Sequence, residues 1–479
     1  MKSSMTRTSH TGMIIRNARF HVTLKKNYKH MKNNPRRQFI KKSTAATLGF
    51  SALGSMAFSA KSYGNIIGAN ERLNVAIAGL GRRLGAYYEP IGLKSSNVNL
   101  MYLCDAMESQ MPKAAKNFAK HIDYTPKLEQ NVMKVMDDKE VDIMIIATPD
   151  HWHAPGTWLA LDRGKHVYVE KPCSHNPREG ELLIALQKKY NKVVQMGNQQ
   201  RSAPESREII AAIHAGTIGK AYKATAFYSN GRGEVPNPKA APAPQGLDWE
   251  LFQGPAPRKA YTHDTWDYNW HWYGWEYGTA ETGNNATHEL DVARWALQVD
   301  YPNMVEVEAA KRHFPEDGWV MYDTMEAQFK FENGSVIEWD GKSRNSYNTY
   351  GADRGTIIYG TDGTVFVNRD GYKQYDRGGK LIKENMGGGT EGGTQLGGGG
   401  DMSTTHVVNF FNAVRGIEKQ NSNIEEGAVS TLLCHLANIS YRTGETLVCD
   451  PKNGHITNSK KAMALWTREY EKGWEPPKV

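Results

Sequence analysis

Residues 73–85 read LNVAIAGLGRRLG. The apolar run Leu73–Ala78 ends in Gly79-Leu80-Gly81. A strand that enters a glycine turn and then a helix is how a dinucleotide-binding fold begins. Gly79 and Gly81 let the backbone approach a pyrophosphate, and the helix N-terminus offers N–H donors and the positive end of its dipole. The spacing is imperfect. The usual third glycine falls at position 84, which is Leu84, and Gly85 comes one residue late. Either the turn is wider, or Arg82 and Arg83 help to hold phosphate, or this is a plain strand–helix turn.

The next segments decide for the first kind of fold. Val98–Leu103 is a second apolar run, followed by Cys104-Asp105. An acid at that strand end accepts hydrogen bonds from a ribose 2′-hydroxyl and repels a 2′-phosphate, so Asp105 favours NAD over NADP. VDIMIIA (141–147) runs into Thr148-Pro149-Asp150, and Val167–Val169 runs into Glu170-Lys171-Pro172. Apolar strands separated by helical stretches predict a parallel, doubly wound α/β sheet. Ligands bind at the carboxyl ends of such strands, where these polar residues fall. His151 and His153 lack a third ligand at suitable spacing, so no metal is expected.

Past Asn198 the pattern changes. Ala221–Phe227 and Met325–Phe331 alternate as antiparallel strands do, with Val336–Trp339 and Thr356–Tyr359 as further short strands. The division expected is a leader over 1–60, a dinucleotide-binding domain over 61–198 and an α+β domain over 199–479. TGNNATHELDVARWAL (282–297) projects as a helix. Ala286, Leu290, Ala293 and Leu297 share one face; Asn284, His288, Asp291 and Trp295 share the other. A tryptophan on that second face predicts that something covers it, and a cleft is the expected cover. A histidine there suits proton transfer near neutral pH. In residues 261–277, eight of seventeen are aromatic, and Trp266, Tyr268, Trp270 and Trp272 alternate like strand residues. They read as a sugar-facing wall, or as a core strand or oligomer contact. Residues 387–400 hold nine glycines, a linker or a lid.

AGLG, ATPDHWHA, VYVEKPCS and QMGNQQR, in this order, resemble the Gfo/Idh/MocA oxidoreductases (glucose–fructose oxidoreductase, inositol dehydrogenase and relatives). The resemblance runs from about Leu73 to about Gly444. It implies an N-terminal Rossmann domain and a C-terminal α+β domain with a large, mainly antiparallel open sheet. It implies that Lys171 lies beside nicotinamide and substrate, that a cis bond precedes Pro172, and that His288 reaches the reacting hydroxyl. The cofactor contacts expected, from the turn, the strand ends and the resemblance together, are Gly79, Gly81, Arg82, Arg83, Asp105, Thr148, Pro149, His153, Glu170, Lys171 and Gln199. The substrate contacts expected are Lys171 and His288 from the resemblance, Trp270 and Trp272 from the aromatic wall, and Arg201. One departure matters. Many members carry Asp four residues before the histidine, and this chain has Asn284. Either Asp291 or another carboxylate orients His288, or Lys171 is the main proton carrier. An exposed sheet face in such a domain pairs with another subunit, so a homo-oligomer is expected.

At the other end, residues 1–60 hold twelve Lys or Arg and no acid. The remainder holds 47 basic and 51 acidic residues, a net charge of −4. The basicity belongs to the leader, so nucleic-acid binding is not expected. NNPRRQFIKKST (33–44), followed by the mildly apolar Ala45–Ala60, resembles a twin-arginine signal. Met31 would give a leader of normal length. The twin-arginine translocase is then the expected partner and the periplasm, or another exported location, the destination. Four scattered cysteines form no CxxC pair. Free dinucleotide is scarce outside, so the cofactor, NAD rather than NADP, should stay bound and be restored in each turnover. The expected function is an NAD-dependent oxidoreductase acting on a sugar. A redox-neutral glycosidase (oxidation, elimination, reduction) is the alternative, and a non-catalytic sugar-binding protein the further one.

Overall fold

Leu73–Ala78 forms β1, buried almost throughout, and pairs in parallel with β2 (Val98–Cys104) and β4 (Ile143–Ile146). With β3 (Lys127–Leu128), β5 (His166–Val169) and β6 (Val194–Met196) it makes a six-stranded sheet in the order β3-β2-β1-β4-β5-β6, every pair parallel. The order reverses direction at β1 and β4, which opens a crevice at their carboxyl ends. This is a computed structural model, and it describes residues 71–386 and 401–479. The twin-arginine stretch, Met31 and the glycine-rich 387–400 lie outside the described residues.

The glycine turn departs from expectation in one respect. The helix after it is a 3-10 segment, Arg82–Tyr87, followed by the short α1 (Tyr88–Gly92). Leu84, standing where a third glycine is usual, is 5% exposed and packs with Val75, Ile77 and Tyr87. Its bulk belongs to the core, where a glycine would let helix and strand approach. Helices α2 (Gln110–Phe118), α3 (Val132–Asp137), α4 (Asp150–Asp162) and α5 (Pro177–Tyr190) cover the sheet. α6 (Pro204–His214) leads into the second domain.

The second sheet has ten strands. Its path is β15-β14-β13-β12-β7-β10-β9-β8-β16, with β11 (Arg344–Asn345) beside β7. The strands are β7 (Ala221–Gly231), β8 (Met304–Ala310), β9 (Thr324–Lys330), β10 (Val336–Lys342), β12 (Arg354–Gly360), β13 (Gly363–Val367), β14 (Tyr372–Asp376), β15 (Leu381–Asn385) and β16 (Leu447–Val448). Only the β7–β10 pair is parallel. Period-two alternation sends Met325, Ala327 and Phe329 inward and Glu326 and Gln328 outward. The inner face packs on Leu290, Ala293 and Leu297 of α8 (Thr287–Leu297). Leu433, Leu436 and Ala437 of α10 (Ile424–Thr443) join the same core. The expected mainly antiparallel open sheet is present.

Two features were not expected. α9 (Asp401–Val414) returns to the first domain, where Val407, Phe410 and Phe411 join the core around β1. The connection between β7 and α8 also crosses to the first domain, carrying the short α7 (Trp249–Gln253). Glu108 N donates to Gly246 O at 2.9 Å, Asp248 N to Ala106 O at 2.9 Å, and Trp152 Nε1 to Phe252 O at 2.9 Å. Glu471 N, near the C-terminus, donates to Pro255 O at 3.1 Å. The alternating aromatics in this strap form no strand. Asn269–His271 is a 3-10 turn, and Trp270 N and Trp272 N bond locally to Thr265 O and Asn269 O. Backbone donors satisfied within the turn leave nothing for a ladder.

Candidate active site

The cleft begins at the glycine turn. Gly79 has φ +91°, and a Cβ there would run into the Ala147 carbonyl. A Cβ on Gly81 would meet nothing within 4 Å, so the backbone is open to a ligand. Asp105 braces the turn: its Oδ2 accepts from Leu80 N at 2.7 Å and its Oδ1 from Met107 N at 2.8 Å. Burial pushes its carboxyl above the usual range, against those two donors. Thr148 Oγ1 is buried with no partner among the described residues. An open glycine backbone, an orphaned hydroxyl and a carboxylate with spare lone pairs fit a dinucleotide. Gly79, Gly81, Arg82, Arg83, Asp105, Thr148, Pro149, His153, Glu170 and Lys171 all line this cleft. Gln199 does not. It donates to Tyr168 Oη at 3.0 Å and to Glu170 at 3.4 Å, one layer behind.

Glu170 is a fixed anion. Arg83 Nε donates to it at 2.8 Å and Tyr87 Oη at 2.9 Å. Burial alone would raise its carboxyl, but Arg83 holds it below the usual range. A Cβ at Gly197 would sit 2.9 Å from that carboxylate, which is why QMGN needs its glycine. The Lys171–Pro172 bond is cis, as the resemblance implied. Lys171 Nζ donates to the Asn284 carbonyl and lies 3.3 Å from Asn284 Oδ1. Burial pulls the ammonium down to about 8, while the charges of Asp150 and Glu170 oppose the fall. Asp150 is held by Thr279, whose Oγ1 donates to it at 2.5 Å.

The helix that carries Asn284 and His288 opens with a π turn, Thr282–Ala286, before α8. A 100° projection therefore fails across its first turn, and both faces of α8 are buried. The carboxylate that Asn284 lacks is supplied by Glu281, which the sequence reading did not single out. Asn284 Nδ2 donates to Glu281 Oε1 at 2.9 Å, which fixes the amide with its oxygen toward Lys171. Asn285 Nδ2 at 3.1 Å and Ser343 Oγ at 2.8 Å hold the same carboxylate.

Asp291 does not orient His288. Its oxygens take Arg201 Nε at 2.8 Å, Arg201 Nη2 at 2.9 Å and Ser430 Oγ at 2.6 Å. Arg201, 6% exposed, is spent on that pair, so both residues leave the expected catalytic and substrate sets for a structural role. His288 is buried outside the lining of the cleft. Burial and the charges of Arg369 and Lys171 hold its ring neutral, well below the ordinary histidine range.

The strap forms the other wall. Trp266, Tyr268, Trp270 and His271 line the cleft, and the Arg82 guanidinium lies 4.0 Å from the centre of the Tyr268 ring. Trp272 corrects the expectation of a substrate contact. It is 1% exposed and stacks on Trp319 with ring centres 3.9 Å apart. The only sign of His271 in the sequence was a titratable residue inside an aromatic run. His153 faces two carbonyls, Pro172 O at 2.6 Å and Thr148 O at 2.8 Å, so it shapes the loop at the β4 end.

Fold and cleft together define a two-domain, dinucleotide-binding protein of the oxidoreductase type. Residues 73–198 match the model of an oxidoreductase family with an NAD-binding Rossmann fold, and residues 213–379 match that family's C-terminal alpha/beta domain. Together these matches cover more than half of the chain, which belongs to the Gfo/Idh/MocA family. An alpha-N-acetylgalactosaminidase of Shewanella oneidensis is 22% identical over 381 residues, 71% of this chain and 77% of that one. An NAD(+)-dependent scyllo-inositol 2-dehydrogenase of Bacillus subtilis is 28% identical over 151 residues, 31% of this chain and 42% of that one. Among solved structures, a levoglucosan dehydrogenase with NADH and levoglucosan superposes with a TM-score of 0.61 at 19% identity, covering 79% of this chain and 100% of that one. An aldose-aldose oxidoreductase of Caulobacter crescentus gives 0.59 at 17% identity, covering 79% and 99%.

Proposed function

We propose that this protein oxidises a sugar hydroxyl with a tightly retained NAD. The observation that carries this is Lys171, half-buried at the end of β5, pulled down to about 8 and aimed by Asn284 into the cleft. A lysine near that value is neutral often enough to take a proton from a hydroxyl. The turn at Gly79 and Gly81 and the side chains of Asp105 and Thr148 would hold the dinucleotide. Bound nicotinamide would supply the hydride acceptor. Asp105 supports NAD over NADP, since a 2′-phosphate would meet its carboxylate. The aromatic strap supports retention, because Tyr268 and Trp270 wall the cleft in. Export through the twin-arginine route and assembly through the open sheet face, where Glu306, Glu326, Glu338 and Asp340 stand, belong to the same proposal.

A second form of the chemistry has its own support. The alpha-N-acetylgalactosaminidase relative aligns over 71% of this chain, so a redox-neutral glycosidase fits the same site. The experiment adds sugars and p-nitrophenyl glycosides to dialysed protein and follows reduced-nicotinamide absorbance. A transient or lasting rise that Lys171→Ala lowers by about 10² to 10⁴ is expected. No absorbance change with any sugar, together with intact sugar binding, would instead favour a non-catalytic binding protein.

A further inference from the structure

The strap carries a titratable group that the chemistry above does not use. His271 ends the 3-10 turn Asn269–His271. Its ring is centred 3.5 Å from that of Trp270, 4.5 Å from Tyr268 and 5.1 Å from Trp272. Nδ1 is 2.9 Å from the Tyr268 carbonyl oxygen. A carbonyl only accepts, so Nδ1 carries the hydrogen and Nε2 keeps its lone pair. Among the described residues Nε2 makes no hydrogen bond, and His271 lines the same cleft as Lys171 and Asn284. Burial, with the charges of Lys171, Arg232 and Arg82 adding to it, keeps the ring neutral; the Tyr268 carbonyl works the other way. His153, the other histidine lining the cleft among the described residues, is committed, with both ring nitrogens facing carbonyls.

We propose that His271 is a second proton acceptor of this site, taking a proton from the carbon beside the oxidised one while Lys171 handles the hydroxyl proton. This rests on the sugar-oxidising reading and deepens it toward bond cleavage. Oxidation alone releases one proton, from oxygen. Cleaving a neighbouring bond releases a second, from carbon, and needs a second base. The new carbonyl acidifies that C–H. Its proton moves to Nε2, its electron pair becomes a C=C bond, and the C–O bond to the leaving group breaks with its pair. The leaving oxygen takes the proton held by Lys171. Water then adds: hydroxide to the carbon that lost the group, its proton to Lys171, and the His271 proton back to carbon. The hydride withdrawn to the bound nicotinamide dinucleotide returns to the carbonyl carbon, whose oxygen recovers the Lys171 proton. The sum is hydrolysis, with no external oxidant.

The test has two readouts on the full chain. Nitrogen NMR of ¹⁵N-histidine-labelled protein, assigned by comparison with His271→Gln, reads the tautomer without substrate. A hydrogen on Nδ1 and a bare Nε2 are expected; a hydrogen on Nε2 would overturn the proposal. The second readout uses p-nitrophenyl glycosides in deuterated water, p-nitrophenyl α-N-acetylgalactosaminide first. The unsubstituted protein should place deuterium on the carbon beside the oxidised one. His271→Gln should keep its nucleotide and its reduced-nicotinamide transient, and lose deuterium incorporation and p-nitrophenol release by about 100-fold. Deuterium incorporation at the original rate in His271→Gln, or none in the unsubstituted protein despite its transient, would sink the proposal. Absence of any transient in the unsubstituted protein would overturn the sugar-oxidising reading, and this inference with it.

Discussion

Lys171 takes its character from what surrounds it. Burial disfavours the ammonium, and the Asn284 carbonyl and amide oxygen aim Nζ into the cleft. The sign of the pH dependence follows. A group that must arrive unprotonated works better as pH rises through its pKa. Pre-steady-state hydride transfer from sugar should therefore climb through about pH 8 and level above it. A flat profile from pH 6 to 10 would remove Lys171 as the proton acceptor. Glu281 acts through Asn284, so it is a positioning residue. Glu281→Gln offers an amide N–H where Asn284, Asn285 and Ser343 donate, leaving a buried donor unsatisfied at a cost of about 1–3 kcal/mol. We expect a tenfold to hundredfold fall in the rate of hydride transfer, with nucleotide content unchanged. Loss of the nucleotide along with the rate would mean that Glu281 only holds the fold.

At the scale of elements, the first domain was legible because its requirements are local. A strand must end in glycine where backbone meets backbone, as Gly79 meets Ala147, and an acid must follow β2. Glu170-Lys171-Pro172 announces itself by position at a strand end. The strap and the π turn were not legible. The alternation of Trp266, Tyr268, Trp270 and Trp272 has a strand's period, yet its partners lie far along the chain: Trp272 stacks on Trp319, and Tyr268 on Arg82. The π turn shifts register between Asn284 and His288, which the 100° projection puts on one face, and a projection cannot show that the charge of Asp291 belongs to Arg201. The strap yields its own prediction. The Arg82–Tyr268 contact is worth roughly 0.5–2 kcal/mol, so Tyr268→Ala should speed nucleotide loss by about 2- to 30-fold. Dialysis followed by nucleotide assay checks it. An unchanged rate would mean that the strap does not retain the cofactor.

At the scale of the whole molecule, the proposal joins a leader of export type to a domain whose cofactor is scarce outside the cell. The two are compatible if the protein folds around its dinucleotide before leaving and never has to exchange it. The cleft is walled on one side by the six-stranded sheet and on the other by the strap. The strap is pinned to the first domain from Gly246 to Phe252 and to the C-terminal tail at Pro255. An ordinary dehydrogenase, which trades its cofactor at every turnover, gains nothing from such closure. An enzyme that oxidises and reduces within one cycle does. The most direct measurement is to purify the full chain from cytoplasm, dialyse it at length, denature it and identify the released nucleotide. About one equivalent of NAD or NADH, without NADP, is the predicted result. A protein that emerges empty and rebinds NAD only weakly would contradict the retained cofactor, and the closed redox cycle with it.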